Sequence, residues 1–458
     1  MSLFGGWSGS RGSFFGGIHP PEHKQRTAEE PIEVVPTPAE VRISLLQHLG
    51  AVCDPLIKPR EEVHLGAEIG RSEKFISAPV HASISGTAMR ATVATLPNGR
   101  HVPVIPIRAY ETQPLADRAL YDAMLGGSWP LGEAEQFEPG EIVESAREAG
   151  LVGMGGAAFP TFVKLMRQAD QPVDTVLVNG CECEPFLTAD YRMMVEAPQA
   201  IVAGGLLVRR ALGAQRVLLC IEDNKPLAVR ALREQQGPGI EVVVLQTKYP
   251  QGGERQLVQA ATGRVMPGGG LPMRVGVAVL NISTVAALAA AVYRGRPLTH
   301  RVVTVSGGGI RQAKNLLAPV GTSYRELIRL CGGLTPDAAR VIAGGPMMGF
   351  SFAADDEVAD KIPIPITKGT SGLTVLTRRE IQQAEQTACL RCGRCVDVCP
   401  MRLVPTRLAL ATRANRVSLL QRYHIGSCVE CGCCAYACPA SIPLVQLIRV
   451  GKIQFQNP

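Results

Sequence analysis

Toward its C-terminal end the sequence reads Cys389-Leu-Arg-Cys392-Gly-Arg-Cys395-Val-Asp-Val-Cys399-Pro400, and then Cys428-Val-Glu-Cys431-Gly-Cys433-Cys434-Ala-Tyr-Ala-Cys438-Pro439. Both runs have the form C-x2-C-x2-C-x3-C-P. Two-residue spacings bring three thiolates round one tight loop, while a four-iron cubane takes its fourth thiolate from farther away. In two-cluster ferredoxins the fourth cysteine of each run ligates the other cluster. The spacing therefore predicts one 4Fe-4S cluster on Cys389, Cys392, Cys395 and Cys438, and a second on Cys428, Cys431, Cys434 and Cys399. Zinc knuckles pair separated two-ligand hooks, and neither they nor disulfides call for a triple hook with a following proline, made twice. Cys433 is a competing thiol, but the three-residue gap to Cys438 selects Cys434.

A two-cluster module fills only the stretch from about 380 to 445 of a 458-residue chain. That length suggests roughly three or four domains, so something upstream must feed the clusters. Hydrophobic content of 46% with 48 Gly and 34 Pro is that of a soluble protein with full cores and many turns. Basic residues number 47 against 40 acidic, a net +7 with the two signs interspersed. This fits an anionic partner such as a dinucleotide, an acidic electron carrier or a membrane surface, and no nucleic-acid partner is expected. Clusters that occupy eight of 14 cysteines point to a reducing, cytoplasmic compartment. Met1-Ser-Leu-Phe-Gly-Gly-Trp7 lacks a basic segment followed by an apolar one, so secretion is not expected. The least polar stretch, Gly276 to Tyr293, contains Asn281, Ser283 and Thr284 and reads as a buried strand followed by an alanine-rich core helix, not a membrane span.

Taken in order, residues 1–33 are rich in Gly, Ser and Pro and read as a flexible or partner-bound arm. Residues 34–115 carry short β-rich runs, with Leu96-Pro-Asn-Gly-Arg100 as the strongest hairpin turn. From 116 to 298 strand and helix alternate: Asp174–Gly180 and Arg216–Glu222 look like buried parallel strands, and Thr161–Gln168 and Ala200–Leu212 like helices. A compact β-and-helix unit spans 299–352, including a helix over Tyr324–Cys331. Residues 353–380 read as a connector, entering the cluster module by a strand and a helix between about Lys368 and Glu385. The module, 381–458, has one helix expected over Leu403–Leu420.

Three glycine-dense stretches lie in the α/β unit. Gly150-Leu-Val-Gly153-Met-Gly155-Gly156-Ala-Ala-Phe159-Pro-Thr161 enters a helix, where bare backbone N–H groups can approach phosphate oxygens; a plain tight turn is the competing reading. Asn179-Gly-Cys-Glu182-Cys-Glu184-Pro follows a strand, the place where open α/β sheets bind ligands. Its amide and carboxylates suit ribityl or ribose hydroxyls, or make an ordinary acidic loop. Cys181 and Cys183 read as free thiols. Lys248-Tyr249-Pro-Gln-Gly252-Gly253-Glu254 and Met266-Pro-Gly268-Gly-Gly270 would suit a flat ring or a pyrophosphate against backbone, or a set of surface turns.

Together these stretches resemble the flavin-binding, NADH-oxidising subunit of respiratory Complex I. More closely, Gly16–Lys24, Cys183–Asp190, Lys248–Glu254 and the doubled cysteine run resemble the C subunits of Rnf electron-transport complexes. The resemblance implies a multidomain α/β and α+β fold: an N-terminal β barrel-sandwich domain, a Rossmann-like FMN and NADH domain, a β-grasp (SLBB-like) domain and a ferredoxin-like two-cluster domain. It implies FMN contacts at Gly153, Gly155, Gly156, Lys164, Asn179, Glu182, Tyr249, Gly252, Gly253, Asn281 and Thr284, and contacts to the nicotinamide nucleotide at Phe159, Glu184 and Glu254. The chain departs from the Complex I pattern at Met154, Ala158 and Cys181.

The chemistry fits this likeness. NADH gives up two electrons as a hydride and each cluster takes one, so a flavin between them serves as converter; no general acid or base is called for, and no catalytic residue in the narrow sense is expected. The resemblance further implies a peripheral protein on the cytoplasmic face of the inner membrane, with no transmembrane segment. Its partners would be NAD(H), the integral membrane and other subunits of an ion-translocating complex, and ferredoxin or flavodoxin as eventual electron partner. A soluble flavin and iron-sulfur cobalamin reductase, or a flavin-free relay subunit, are the alternatives.

Overall fold

A computed structural model describes residues 12–353, 364–381 and 384–456. The first unit is β-rich. A five-stranded sheet joins Glu40–Ser44, His101–Ala109, Gly86–Ala88 and Glu62–Val63, with Thr92–Thr95 also paired to His101–Ala109, and a second sheet joins Asp54–Pro55, Glu68–Arg71 and Val80–His81. Val41, Ile43, Ile69, Val80, Ile105 and Ile107 fill the space between them. The expected hairpin forms at Leu96, whose N–H donates to the Arg100 carbonyl at 2.8 Å, with Gly99 at φ +81°.

The α/β unit has four parallel strands in the order Ile240–Leu245, Arg216–Glu222, Thr175–Asn179, Val277–Asn281. These near-continuous apolar strands are covered on both faces, as parallel sheets require. Helices Pro198–Leu212 and Ile282–Arg294 pack on one face and Glu254–Thr262 on the other. The first two approach so closely that a Cβ on Gly204 would lie 1.7 Å from the Val285 carbonyl oxygen.

The third unit is a six-stranded sheet in the order Ile32–Val34, Lys314–Pro319, His300–Ser306, Gly372–Thr377, Ala338–Ala343, Phe350–Ala353, with helix Tyr324–Leu330 against it. Two expectations change here. Gly372–Thr377, read as part of a connector, is a central strand, parallel to His300–Ser306 and antiparallel to Ala338–Ala343. Ile32–Val34, at the end of the segment read as a flexible or partner-bound arm, pairs in parallel with Asn315–Leu317. Both pairings join segments far apart in the chain, and local periodicity carries no trace of them.

The arm is held along its described length. Gly12 exchanges backbone hydrogen bonds with Ala260 and Gln246, Gly17 N–H donates to the Val398 carbonyl at 2.9 Å, and Ile18 and Tyr249 pair both ways. The buried Lys24 ammonium donates to the carbonyls of Glu182, Glu184 and Leu187. Arg26 likewise donates to the carbonyls of Gly307, Ile310 and Arg311, so backbone and two long cations do much of the holding, and no apolar period marks the segment. The part of the arm before Gly12 lies outside the described residues.

In the cluster module the expected long helix is two, Pro405–Arg413 and Val417–Arg422, separated where Asn415 adopts φ +49°. Helix Leu444–Gln456 closes over them. The helix expected before Glu385 falls partly on residues 382–383, outside the described set. No described helix is long and apolar enough to cross a membrane.

Candidate functional site

In chain order the parallel strands run 3-2-1-4 across the sheet, and the crossover into Val277–Asn281 passes over the opposite face from the others. Thr175–Asn179 and Val277–Asn281 therefore flank a switch point, where a crevice opens beyond the strand ends. Asn179 and Asn281 terminate these strands in register. Asn179 Nδ2 donates to the Gly252 carbonyl at 2.9 Å and its Oδ1 accepts from Cys181 N–H at 3.1 Å. Asn281 Oδ1 accepts from Ser283 N–H at 2.9 Å, capping helix Ile282–Arg294, and its Nδ2 donates to Asp190 at 2.6 Å.

The glycine loop lies over this crevice. Gly153 N–H donates to the Phe159 carbonyl at 2.8 Å, and Met154 N–H to Thr284 Oγ1 at 2.9 Å. A Cβ on Gly155 would come within 3.0 Å of the Asn281 side chain, whereas Gly156 faces open space. From below, Lys164 Nζ reaches the Val279 carbonyl at 3.2 Å and Glu254 at 3.1 Å. Gly252 passes so near Cys181 that a Cβ would sit 2.3 Å from its carbonyl oxygen, and Gly253 caps helix Glu254–Thr262. Gly153, Gly155, Gly156, Phe159, Lys164, Asn179, Gly252, Gly253, Glu254, Asn281 and Thr284 are thus gathered round one crevice.

The other three sequence-derived candidates turn to domain boundaries. Glu182 accepts from Asp190 and Tyr191 N–H, capping helix Ala189–Glu196, with Lys24 behind it at 4.0 Å. Glu184 accepts from Met347 and Met348 N–H of the third unit at 3.2 and 2.9 Å. Burial pushes its carboxyl up to about 7 even though those two donors oppose the shift. Tyr249, only 2% exposed, donates its hydroxyl to the Cys431 carbonyl at 2.7 Å. Sequence reasoning missed Asp190, which holds both Asn281 and Ser283, and Arg301, whose buried guanidinium donates to the Met154 carbonyl at 2.7 Å. Asp190 closes the Cys183–Asp190 stretch without any sign of this role, and the buried Arg301 leaves no motif.

The two cysteine runs fold alike. Arg391 and Glu430, before the second cysteine of each run, and Gly393 and Gly432, after it, all have φ between +55° and +85°. This left-handed pair curls each loop inward, and glycine takes it most cheaply. Cys395 lies within electrostatic reach of Cys392 and Cys438, while Cys434 lies near Cys431, Cys428 and Cys399. Leu403 N–H donates to Cys399 Sγ at 3.3 Å and Glu430 N–H to Cys428 Sγ at 3.4 Å. Cys399, Cys428, Cys431 and Cys434 line a cavity walled by Leu403, Leu408, Val445 and Ile448, and the competing thiol Cys433 lines it too. Among the described residues no three such side chains converge on one ion; a cubane instead holds each thiolate on a separate iron, so sulfurs round a dry cavity are the fitting arrangement. At the crevice, bare backbone, two amides, an ammonium and a helix N-terminus are donors suited to phosphate and hydroxyl oxygens, and fit a flavin mononucleotide.

Comparison with known proteins agrees with this division. Family models match as the RnfC barrel sandwich hybrid domain over residues 12–111, the Nuo51 FMN-binding domain over 146–290, the SLBB domain over 302–351 and the 4Fe-4S dicluster domain over 388–442. The C subunit of the Na+-translocating ferredoxin:NAD+ oxidoreductase complex of Acetobacterium woodii is 39% identical over 443 residues, 96% of each chain. The chain belongs to the RnfC family. Another RnfC-type protein, the C subunit of the proton-translocating ferredoxin:NAD+ oxidoreductase complex of Clostridium ljungdahlii, is 40% identical over 399 residues, 87% of this chain and 84% of that one. The FMN-binding and dicluster domains give this RnfC chain its cofactors, FMN and 4Fe-4S clusters. An NAD+-reducing NiFe-hydrogenase in its H2-reduced state shares the fold, with TM-score 0.52 and 19% identity over 72% of this chain and 64% of that one.

Proposed function

We propose that this chain is the NADH-oxidising subunit of an ion-translocating Rnf complex, peripheral on the cytoplasmic face of the inner membrane. The chemistry a bound FMN would supply is conversion of the hydride of NADH into single electrons for the two 4Fe-4S clusters, on the way to other subunits and eventually to or from ferredoxin or flavodoxin. The relatives' printed names, as C subunits of ferredoxin:NAD+ oxidoreductase complexes, support this assignment.

The chain's own residues bind and position. Gly153, Gly155, Gly156, Asn179, Gly252, Gly253, Asn281, Thr284 and Lys164 would hold the FMN, with Glu182 bracing the crevice wall and Tyr249 bracing the flavin domain against the clusters. Phe159, Glu184 and Glu254 would meet the nicotinamide nucleotide. The proposed ligand sets remain Cys389, Cys392, Cys395, Cys438 and Cys428, Cys431, Cys434, Cys399; the neighbours of Cys395 and Cys434 support the crossing of the fourth ligands.

One observation carries the reading: the Tyr249 hydroxyl, on the flavin domain, donates to the carbonyl of Cys431. Cys431, Cys434 and Cys399 of one set are buried, with Cys431 packed in one cluster with Tyr249; in the other set Cys395 is buried too, but Cys389 and Cys392 are exposed. The two sulfur sets are thereby ordered, one inside and one outward. Tyr249→Phe should keep its iron and FMN yet slow the bleaching of the clusters by NADH in anaerobic stopped flow. An unchanged rate would show that this contact does not couple the domains.

A further inference from the structure

The chain's positive charge is concentrated in one unit. Between 384 and 456, nine Arg and Lys stand against three acids, Glu385, Asp397 and Glu430, so this unit holds six of the net +7. Arg449 and Lys452 engage Glu430 at 3.0 and 2.6 Å, and Arg402 lies over the Phe15 ring at 4.7 Å. Arg391, Arg394, Arg407 and Arg413 are exposed, and no carboxylate among the described residues pairs with them.

These four arginines share a place. Arg391 and Arg394 flank Cys392, which is exposed together with Cys389. Helix Arg394–Asp397 packs on helix Pro405–Arg413, where Arg407, Leu410 and Arg413 follow at three-residue spacing along the exposed side. Leu410 is 60% exposed and Leu390 66%. Unpaired guanidinium groups round two bare leucines, at the outward end of a redox module, have the make-up of a transient docking face: charge steers the encounter and a small apolar centre seats it.

We propose that this face docks an acidic one-electron carrier protein, which meets the chain at the loop of Cys389 and Cys392. The inference rests on the electron-transfer reading above and adds the chemistry and the position of the partner. An anionic lipid surface would also be drawn to the arginines, but the exposed cysteine pair beside Arg391 and Arg394 is of use only to a redox partner.

The test begins with the holo-protein reduced by NADH under anaerobic conditions. It is mixed in stopped flow with cytochrome b5, an acidic acceptor, or cytochrome c, a basic one, across a salt series. R407E/R413E should bleach normally with NADH. It should reduce cytochrome b5 at least about tenfold more slowly at low salt, with a flattened salt dependence, and reduce cytochrome c faster; R407Q/R413Q should fall between. Unchanged cytochrome b5 rates, or equal losses with both acceptors, would overturn the proposal. So would patch-dependent sedimentation with phosphatidylglycerol vesicles alongside unchanged cytochrome b5 rates. If the wild type does not bleach with NADH, the electron-transfer reading fails instead, and dithionite-reduced protein carries the docking comparison on its own.

Discussion

Two residues of the flavin domain show how close packing turns a single position into a constraint. Glu184 has a carboxyl raised from 4.5 to about 7. A carboxyl with a higher pKa in the folded than in the unfolded state binds protons more tightly when folded, so stability is lost as pH rises from about 4.5 through 7. Between pH 5 and pH 8 the wild type should lose about 1–3 kcal/mol relative to Glu184→Gln. Thermal midpoints of the anaerobic holo-protein at the two pH values check this; parallel pH profiles would mean the carboxylate is not penalised. Gly252 is constrained sterically. With a Cβ facing the Cys181 carbonyl at 2.3 Å, Gly252→Ala must displace backbone that also bonds Asn179. It should cut FMN content sharply at unchanged iron content, since the cysteine loops are elsewhere.

Among the elements, the arm from Gly12 to Val34 binds the domains together. Lys24→Ala leaves three buried carbonyls without their donor, which should cost about 2–5 kcal/mol. It should also open the arm to limited proteolysis while the β domain stays intact. Three of the flavin domain's four strands, and the alanine-rich helix that Asn281 caps, are readable in the sequence because each is a local apolar pattern, whereas Ile240–Leu245, only partly buried, is not. The strand Gly372–Thr377 is legible as a strand but not in its sheet, because its partners at His300–Ser306 and Ala338–Ala343 are distant in the chain. The anchoring of the arm escapes for a related reason, since backbone hydrogen bonds at Gly17 and Ile18 have no side-chain signature. At the site, the glycine stretches and Asn179 stand out by position, whereas Asn281 enters only through the family resemblance. Tyr249 stands out too, but its reach to Cys431 depends on how two domains sit together, which sequence pattern does not encode.

For the whole molecule, the crossing of the cysteine ligands is open to a decisive pairing of variants. If the fourth ligands cross, Cys399→Ser with Cys428→Ser disables a single cluster and leaves about four irons, whereas Cys395→Ser with Cys399→Ser disables both. The opposite pattern of iron contents would mean that each run closes its own cluster. The central claim is that one chain takes electrons from NADH at a flavin crevice and releases them at an exposed cluster loop. An anaerobic NADH titration, with iron and flavin quantified on the same sample, tests it most directly. About eight irons and one FMN per chain are expected, with cluster absorbance that bleaches as NADH is added. Full iron content with no flavin, and absorbance that NADH leaves untouched, would contradict it.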